Sequence, residues 1–339
     1  MTAAFSPWQQ RAFDQTVAAL DAGRLGHGLL ICGPEGLGKC AVALALAEHV
    51  LASSPDPALA QRTRQLIAAG THPDLQLVSF IPNRTGDKLR TEIVIEQVRE
   101  ISQKLALTPQ YGIAQVVIVD PADAINRSAC NALLKTLEEP SPGRYLWLIS
   151  AQPARLPATI RSRCQRLEFK LPPAHEALAW LLSQGVSERA AQEALDAARG
   201  HPGLAAQWLR EDGLAVRRAV AQDLEQIANG RAGAVDVAQR WTNDGQADQR
   251  LRHAADLALA QASAGLTDPS RLHKLATWFD AANRTRDLLR TTVRADLAVT
   301  ELLLSWREGE RQPRSREGLI NSPQMRDTIA LCRGFIHAA

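Results

Sequence analysis

The sequence predicts an α/β domain, with a parallel sheet flanked by helices, followed by a small helical domain and an all-helical domain. Two observations support this prediction. Short apolar runs alternate with apolar residues at helical spacing up to about residue 170. Fourteen of the 18 prolines lie at or before Pro173, and none lies between Pro202 and Pro269. Because proline breaks helix interiors, the second half of the chain favours long helices.

Periodicity places the elements of the first half. Apolar, β-branched runs predict strands at residues 28–32, 75–80, 115–120 and 145–150. Helical spacing and composition predict helices at residues 41–52, 95–105 and 126–139, the last ending before Pro140. Since strands alternate with helices, we expect a parallel sheet with helices on both faces.

The prolines at 172–173 mark a boundary. A small helical unit with a turn at residues 200–203 follows, and an apolar stripe over residues 216–227 indicates a further helix. Asp268 marks another helix start, and the apolar pattern then runs to Trp306 as one helix or a pair, which suggests a bundle used for assembly. The tail from residue 311 gives no clear pattern. The predicted domains are residues 1–171, 172–210 and 211–339.

Composition excludes several classes of protein. The 339 residues suffice for two or three domains, and 45% apolar with 22% charged residues is typical of folded proteins. A net charge of +3 is too small for a general binder of polyanions. No apolar run reaches 18 residues, and we find no signal-peptide pattern. Scattered cysteines favour a reducing compartment, so we expect a cytoplasmic protein; they are Cys32, Cys40, Cys130, Cys164 and Cys332.

A phosphate-binding loop is the first candidate site. Gly33, Gly36, Gly38 and Lys39 belong to a complete G-x-x-x-x-G-K pattern between a predicted strand and a predicted helix. Such glycines let backbone N–H groups surround phosphates, and the lysine reaches the outer ones. Cys40 stands where a Ser or Thr hydroxyl would hold magnesium, and sulfur is a poor ligand for that cation. Two interpretations stay open: a loop that binds nucleotide, or a loop retained for folding with weak or no nucleotide binding.

The strand ending at Asp120 is the second candidate. In hydrolysing nucleotide-binding proteins such a strand supplies a metal-orienting Asp and a carboxylate that activates water. Here Asp120 is followed by Pro121, which cannot accept a proton. Asp123 is three positions on and is expected to point elsewhere. The simpler interpretation of Asp120 is a solvated carboxylate at a strand end.

Arg163 is the third candidate. A single arginine is usually solvated or paired at the surface. This one follows the strand at 145–150 and a short helical segment at 157–161, near the edge of the α/β domain, where it could reach a neighbouring subunit. A guanidinium supplied in trans stabilises the charge on a transferring γ-phosphoryl group. Arg161 is the weaker candidate for this role.

Six motifs carry a family resemblance, at residues 33–39, 71–74, 95–101, 116–120, 131–140 and 162–164. In their order they resemble the bacterial clamp-loader subunits of DNA polymerase III, which belong to the AAA+ class, and most of all the delta-prime family. The likeness covers about residues 5–210. The segments at 131–140 and 162–164 are specific, whereas the phosphate loop alone is not.

The resemblance implies an AAA+ domain, a helical lid and a helical collar that holds a five-membered ring together. It further implies a rigid stator without its own ATPase or required cofactor, within a DNA polymerase holoenzyme. Motor (gamma/tau) and delta subunits would be its partners, and the sliding clamp and primed DNA would be reached through the assembled complex. Arg163 takes the place of the arginine that faces the ATP of the adjacent motor subunit. Gly203 takes the place of the lid arginine of active relatives.

Two departures from the family pattern concern ligands. Many bacterial relatives bind zinc through four cysteines ahead of the His-Pro-Asp turn, but residues 51–70 contain no cysteine, so no zinc or other metal is expected. Lys39 is intact although the best-known delta-prime proteins have a degraded loop, which leaves ATP or ADP binding open.

Two other functions compete with this interpretation. An ATP-hydrolysing motor subunit of the same clamp loader is opposed by Cys40, Pro121 and Gly203. A sequence-tolerant nucleic-acid binder is opposed by the small net charge, by 4% aromatic residues and by the lack of a basic stretch interleaved with stacking residues.

Overall fold

The computed structural model describes residues 5–311 except 84, 85, 87, 88, 113, 140, 265–267, 290 and 292. Pro140 and the tail that contains Cys332 therefore lie outside the described residues. The chain forms two compact units: one runs to Glu188 and includes Gly200–Leu204, and the other comprises Arg189–Arg199 and the chain from Ala205. The division into three domains stays a prediction.

A five-stranded parallel sheet forms the centre of the first unit and confirms the predicted fold class. Its spatial order is β2-β3-β4-β1-β5, and every neighbouring pair is parallel. Parallel neighbours need long crossover connections, which is why helices separate the strands in sequence. The strands are β1 (Gly28–Cys32), β2 (Leu75–Val78), β3 (Gln115–Val119), β4 (Arg144–Ser150) and β5 (Gln165–Glu168).

Helices cover both faces of this sheet. Successive residues of β1 alternate between two buried clusters, with Leu29 and Ile31 in one and Leu30 and Cys32 in the other. All residues of β1 and β3 are buried, because both faces are covered. The helices are α1 (Pro7–Asp21), α2 (Lys39–Leu51), α3 (Pro57–Ala68), α4 (Ile95–Leu105), α5 (Arg127–Glu138), α6 (Ala158–Arg161) and α7 (Ala174–Ser183).

The chain is helical from Glu188 wherever the structure describes an element. The apolar positions of α10 to α14 share one buried cluster, in which the indole of Trp278 donates to the carbonyl of Leu302 at 3.0 Å. The pattern predicted up to Trp306 is a pair of helices, α13 and α14. The helices are α8 (Glu188–Ala197), α9 (Pro202–Arg210), α10 (Gly213–Ala228), α11 (Ala234–Thr242), α12 (Ala247–Ala264), α13 (Pro269–Leu288) and α14 (Ala295–Arg311).

Caps at helix starts agree with the sequence signals. Asp268 accepts backbone N–H bonds from Ser270 and Arg271 at the start of α13, and Asn126 accepts one from Ala129 at the start of α5. Within the described residues, no helix is both long enough and apolar enough to cross a lipid bilayer.

Candidate functional site

The loop between β1 and α2 depends on its glycines. Gly33, Gly36 and Gly38 have φ angles of +136°, +77° and +81°, a region that other residues rarely adopt. Packing adds a second constraint. A Cβ at Gly33 would lie 2.2 Å from the carbonyl oxygen of Phe169, and one at Gly38 would meet the side chain of Gln9. The predicted phosphate loop therefore has the strand–loop–helix setting that its sequence pattern requires.

Lys39 begins α2, but its ammonium turns back onto the loop. Its Nζ donates to the carbonyl oxygens of Gly33 at 2.7 Å and Pro34 at 2.6 Å. The residue is only 7% exposed, and burial lowers the pKa of its ammonium against the opposing effect of nearby carboxylates. A phosphate bound here would have to draw the ammonium away from two hydrogen bonds within the loop.

Asp120 and Cys40 lie together at the same edge of the sheet as this loop. Strands β3 and β1 flank β4 and point the same way, so their carboxyl ends meet at one edge. Burial raises the pKa of Asp120, although a hydrogen bond with Cys40 and the charge of Lys39 act in the opposite direction. Burial and the Asp120 carboxylate raise the pKa of the Cys40 thiol to about 11. A thiol that stays protonated is a poor partner for magnesium.

Asp123 was expected to point away from this group of residues. The 3-10 turn over Ala122–Ala124 turns the chain back, and the charge of Asp123 affects the pKa values of both Lys39 and Asp120. Asp123 therefore contributes to the electrostatics of the loop.

The segment Gly200–Leu204 packs on the phosphate loop. A Cβ built on Gly203 would lie 2.0 Å from the carbonyl oxygen of Gly36, so the two backbones are in direct contact. The ring of His201 lies nearby, at 3.5 Å from where a Cβ of Gly36 would stand. Gly203, which takes the place of the lid arginine in the family resemblance, thus lies in contact with the phosphate loop.

Arg163 lies at the opposite end of the strands, near their amino ends. In the parallel pairing of β5 with β1, Gln165 lies beside Leu29. Arg163 precedes this pairing by two residues, whereas Gly33 follows the end of β1 at Cys32. The separation along the strands is about six residues, or roughly 20 Å. The structure therefore brings the loop, Asp120 and Gly203 together and keeps Arg163 apart from them.

Two contacts fix the Arg163 side chain. Its Nη2 lies 2.6 Å from Oε1 of Glu138, at the end of α5, and its Nη1 donates to the carbonyl oxygen of Thr159 at 3.0 Å. The sequence prediction assigned no role to Glu138. Glu138 lies within the segment 131–140, whose specificity for the family was the available signal.

Within the described residues, no group of three or more His, Cys, Asp or Glu side chains could hold a metal ion. The absence of zinc stays a prediction.

Comparisons with known proteins extend the family resemblance. Residues 8–173 match the model of a family described as DNA polymerase III, delta subunit. The DNA polymerase III subunit delta' of Pseudomonas aeruginosa is 38% identical over 244 residues, which cover 70% of this chain and 71% of the relative. The Escherichia coli subunit delta' is 35% identical over 222 residues, covering 64% of this chain and 65% of the relative.

A solved structure gives a weaker likeness. The DNA polymerase III gamma subunit-related protein of Thermotoga maritima is 17% identical, and the match covers 88% of this chain and 100% of that chain with a TM-score of 0.49. The assignment therefore rests on the sequence relatives. With 38% identity over 71% of the length of a delta' subunit, the chain belongs to the DNA polymerase III subunit delta' family.

Proposed function

We propose that this protein is a non-hydrolysing stator subunit of the bacterial replicative clamp loader. In that assembly it supplies Arg163 to the ATP site of a neighbouring motor (gamma/tau) subunit while the sliding clamp is loaded onto primed DNA. Family membership supports the assignment to a clamp loader. The delta subunit would be a further partner in the ring.

One observation carries the trans role. Arg163 and the chain's own phosphate loop lie at opposite ends of the strands of one parallel sheet, roughly 20 Å apart. A guanidinium must lie within hydrogen-bond distance of a γ-phosphate to stabilise its charge. Arg163 is therefore too far from its own loop to serve a nucleotide bound there, which supports a role at the ATP site of another subunit. Its side chain is 37% exposed, so a neighbour has access to it.

The loop geometry supports a lack of intrinsic ATPase. The ammonium of Lys39 bonds to the loop's own carbonyls, Cys40 is a neutral thiol, Pro121 stands in the place of a carboxylate and Gly203 lies against Gly36. Cys40, Pro121 and Gly203 stand where hydrolysis would use a hydroxyl, a carboxylate and an arginine, and the Lys39 ammonium is engaged within the loop. The same features count against the alternative, an ATP-hydrolysing motor subunit of the same complex.

The decisive experiment is Arg163→Ala in a fully reconstituted clamp loader, assayed with clamp and primed DNA. A trans arginine contributes about 10³–10⁵ in rate at the site that it serves. Bulk ATPase would fall by less, because other ATP sites in the ring keep their own arginines. Clamp loading should fall at least as far as the ATPase.

Arg155→Ala is the matched control, since it removes an exposed arginine from the loop that follows β4. Unchanged ATPase and loading in an assembled Arg163→Ala complex would rule out the trans role. Failure of that complex to assemble would instead identify Arg163 as an interface residue.

A further inference from the structure

Glu138 and the backbone of α6 fix the Arg163 guanidinium from two directions. The carboxylate of Glu138 contacts Nη2 at 2.6 Å, and the carbonyl of Thr159 accepts from Nη1 at 3.0 Å. Each terminal nitrogen carries two hydrogens and Nε carries one, so donors remain for a third acceptor. The two contacts therefore restrict the arginine without using up its capacity to bind a phosphate.

The ion pair between Arg163 and Glu138 contributes little to the stability of the folded chain. The side chains of Arg163 and Glu138 are 37% and 48% exposed, and ion pairs that open to solvent contribute little to folding. Glu138 is the last residue of α5, where a carboxylate opposes the helix dipole. A glutamate at this position therefore lowers the stability of α5. Neither the helix nor the ion pair gives a folding reason for Glu138, so its contact with Arg163 calls for a functional one.

An arginine that acts in a transition state must be held in one orientation. A free arginine side chain samples many rotamers and loses that freedom when it engages a phosphate. Restraint before the encounter reduces this loss, and small errors in placement have large effects on rate. Glu138 and Thr159 supply this restraint from two separate helices, so the direction of the guanidinium follows from the packing of α5 beside α6.

We infer that Glu138 is a positioning residue, which holds Arg163 in the orientation needed at the ATP site of the neighbouring subunit. This inference rests on the proposed trans role of Arg163. Glu138 itself does not contact the nucleotide.

The test is a double-mutant cycle in the complete reconstituted complex with clamp and primed DNA. Glu138→Ala should lower kcat at the site served by Arg163 by about 3-fold to about 30-fold, the upper figure being equivalent to the full rotamer entropy of an arginine. The KM for ATP should not change, because the neighbouring subunit binds the nucleotide. Glu138→Gln should keep most of the rate, since its amide oxygen still accepts from the guanidinium.

Two further variants separate positioning from a general structural effect. Glu138→Ala added to Arg163→Ala should cause no further loss, because its effect passes through the arginine. Glu139→Ala, which removes the adjacent carboxylate, should leave kcat unchanged. If Glu138→Ala does not assemble, Glu138→Asp replaces it in the cycle, since it keeps the charge but draws the carboxylate back by one methylene.

The outcomes distinguish this inference from the proposed function. If Arg163→Ala lowers the ATPase but the Glu138 variants do not, the positioning role is wrong and the trans role stands. An equal loss from Glu138→Ala with and without Arg163 also overturns the positioning role, because the effect would then be structural. If Arg163→Ala itself has no effect, the proposed function fails and the positioning role fails with it.

Discussion

Gly203 lies directly against Gly36, with the site of a Cβ on Gly203 only 2.0 Å from the carbonyl oxygen of Gly36. The family resemblance gives position 203 to the lid arginine of active relatives. In this chain any side chain at that position would push the segment Gly200–Leu204 off the phosphate loop. The backbone contact between Gly203 and Gly36 leaves no room for an arginine side chain at position 203. Restoring the arginine alone would therefore not restore an active site.

Gly203→Ala should destabilise the first unit, because its Cβ has no room beside Gly36. Overpacking of this kind typically costs about 1–3 kcal/mol. We expect the thermal transition of that unit to fall by a few degrees. Gly26→Ala is the control, since a Cβ there would find ordinary contact distances of 3.8 Å and more. Equal transition temperatures for the two variants would show that the contact with Gly36 is not tight.

The isolated chain should have no meaningful ATPase activity. Cys40 provides no magnesium hydroxyl and Pro121 provides no carboxylate to activate water. Cys40→Ser should not create activity, because Pro121 remains. The measurement is steady-state phosphate release by stringently purified protein, and turnover of about one per second or more would contradict the prediction. In that event, loss of turnover in Asp123→Asn would identify the carboxylate responsible.

His253 should make the second unit sensitive to acid. Burial, with the charges of Arg217 and Arg252, lowers the pKa of His253 to about 4, and its ring packs 4.5 Å from that of Trp208. An unfolded histidine has a pKa of about 6.5, so the unfolded chain binds more protons between those values. Stability should therefore fall as the pH drops from about 6.5 to about 4.

His253→Phe isolates this effect, because phenylalanine keeps a ring against Trp208 and cannot be protonated. The variant should lose a pH slope of up to about 1.4 kcal/mol per pH unit in the free energy of unfolding within that window. Burial raises the pKa of Asp256, whose titration acts with the opposite sign, so only the difference from the parent protein is diagnostic. His175→Gln, at an exposed position, is the control. Parallel stability curves for parent and His253→Phe would refute the role of His253.

Partner contacts should depend on an exposed apolar face of α14. Leu297 and Leu304 lie two helical turns apart and are 57% and 36% exposed, and Val293 precedes the helix at 47%. Leu297→Asp should weaken association with clamp-loader subunits by about tenfold or more, because a charge would be buried at the contact, without unfolding the chain.

Leu107→Asp is the control for this prediction, since Leu107 is 62% exposed in the first unit. Co-elution of each variant with partner subunits is the measurement. The prediction that the region 211–339 carries most partner contacts is wrong if Leu297→Asp assembles normally and truncation near Arg210 does too.

Many strands and helix starts could be predicted from the sequence, because they depend on short local patterns. The strands at Gly28–Cys32 and Gln115–Val119 are unbroken apolar runs because both faces of the sheet are covered. Asn126 and Asp268 mark helix starts, because their side chains accept hydrogen bonds from backbone N–H groups of the first turn. Strand β5 escaped prediction since only Leu167 of its four residues is buried, which gives no clear periodicity.

Residue type at a fixed spacing is enough to identify the glycine loop, the lysine, the missing hydroxyl at Cys40 and the missing carboxylate at Pro121. The contacts of these residues come from folding. In the folded chain Lys39 turns onto its own loop, Gly203 lies against Gly36 across more than a hundred residues, and Arg163 pairs with Glu138. The parallel pairing of β5 with β1 placed Arg163 and the loop at opposite ends of the strands. Contacts between distant segments depend on how the sheet is assembled, and no local pattern encodes that assembly.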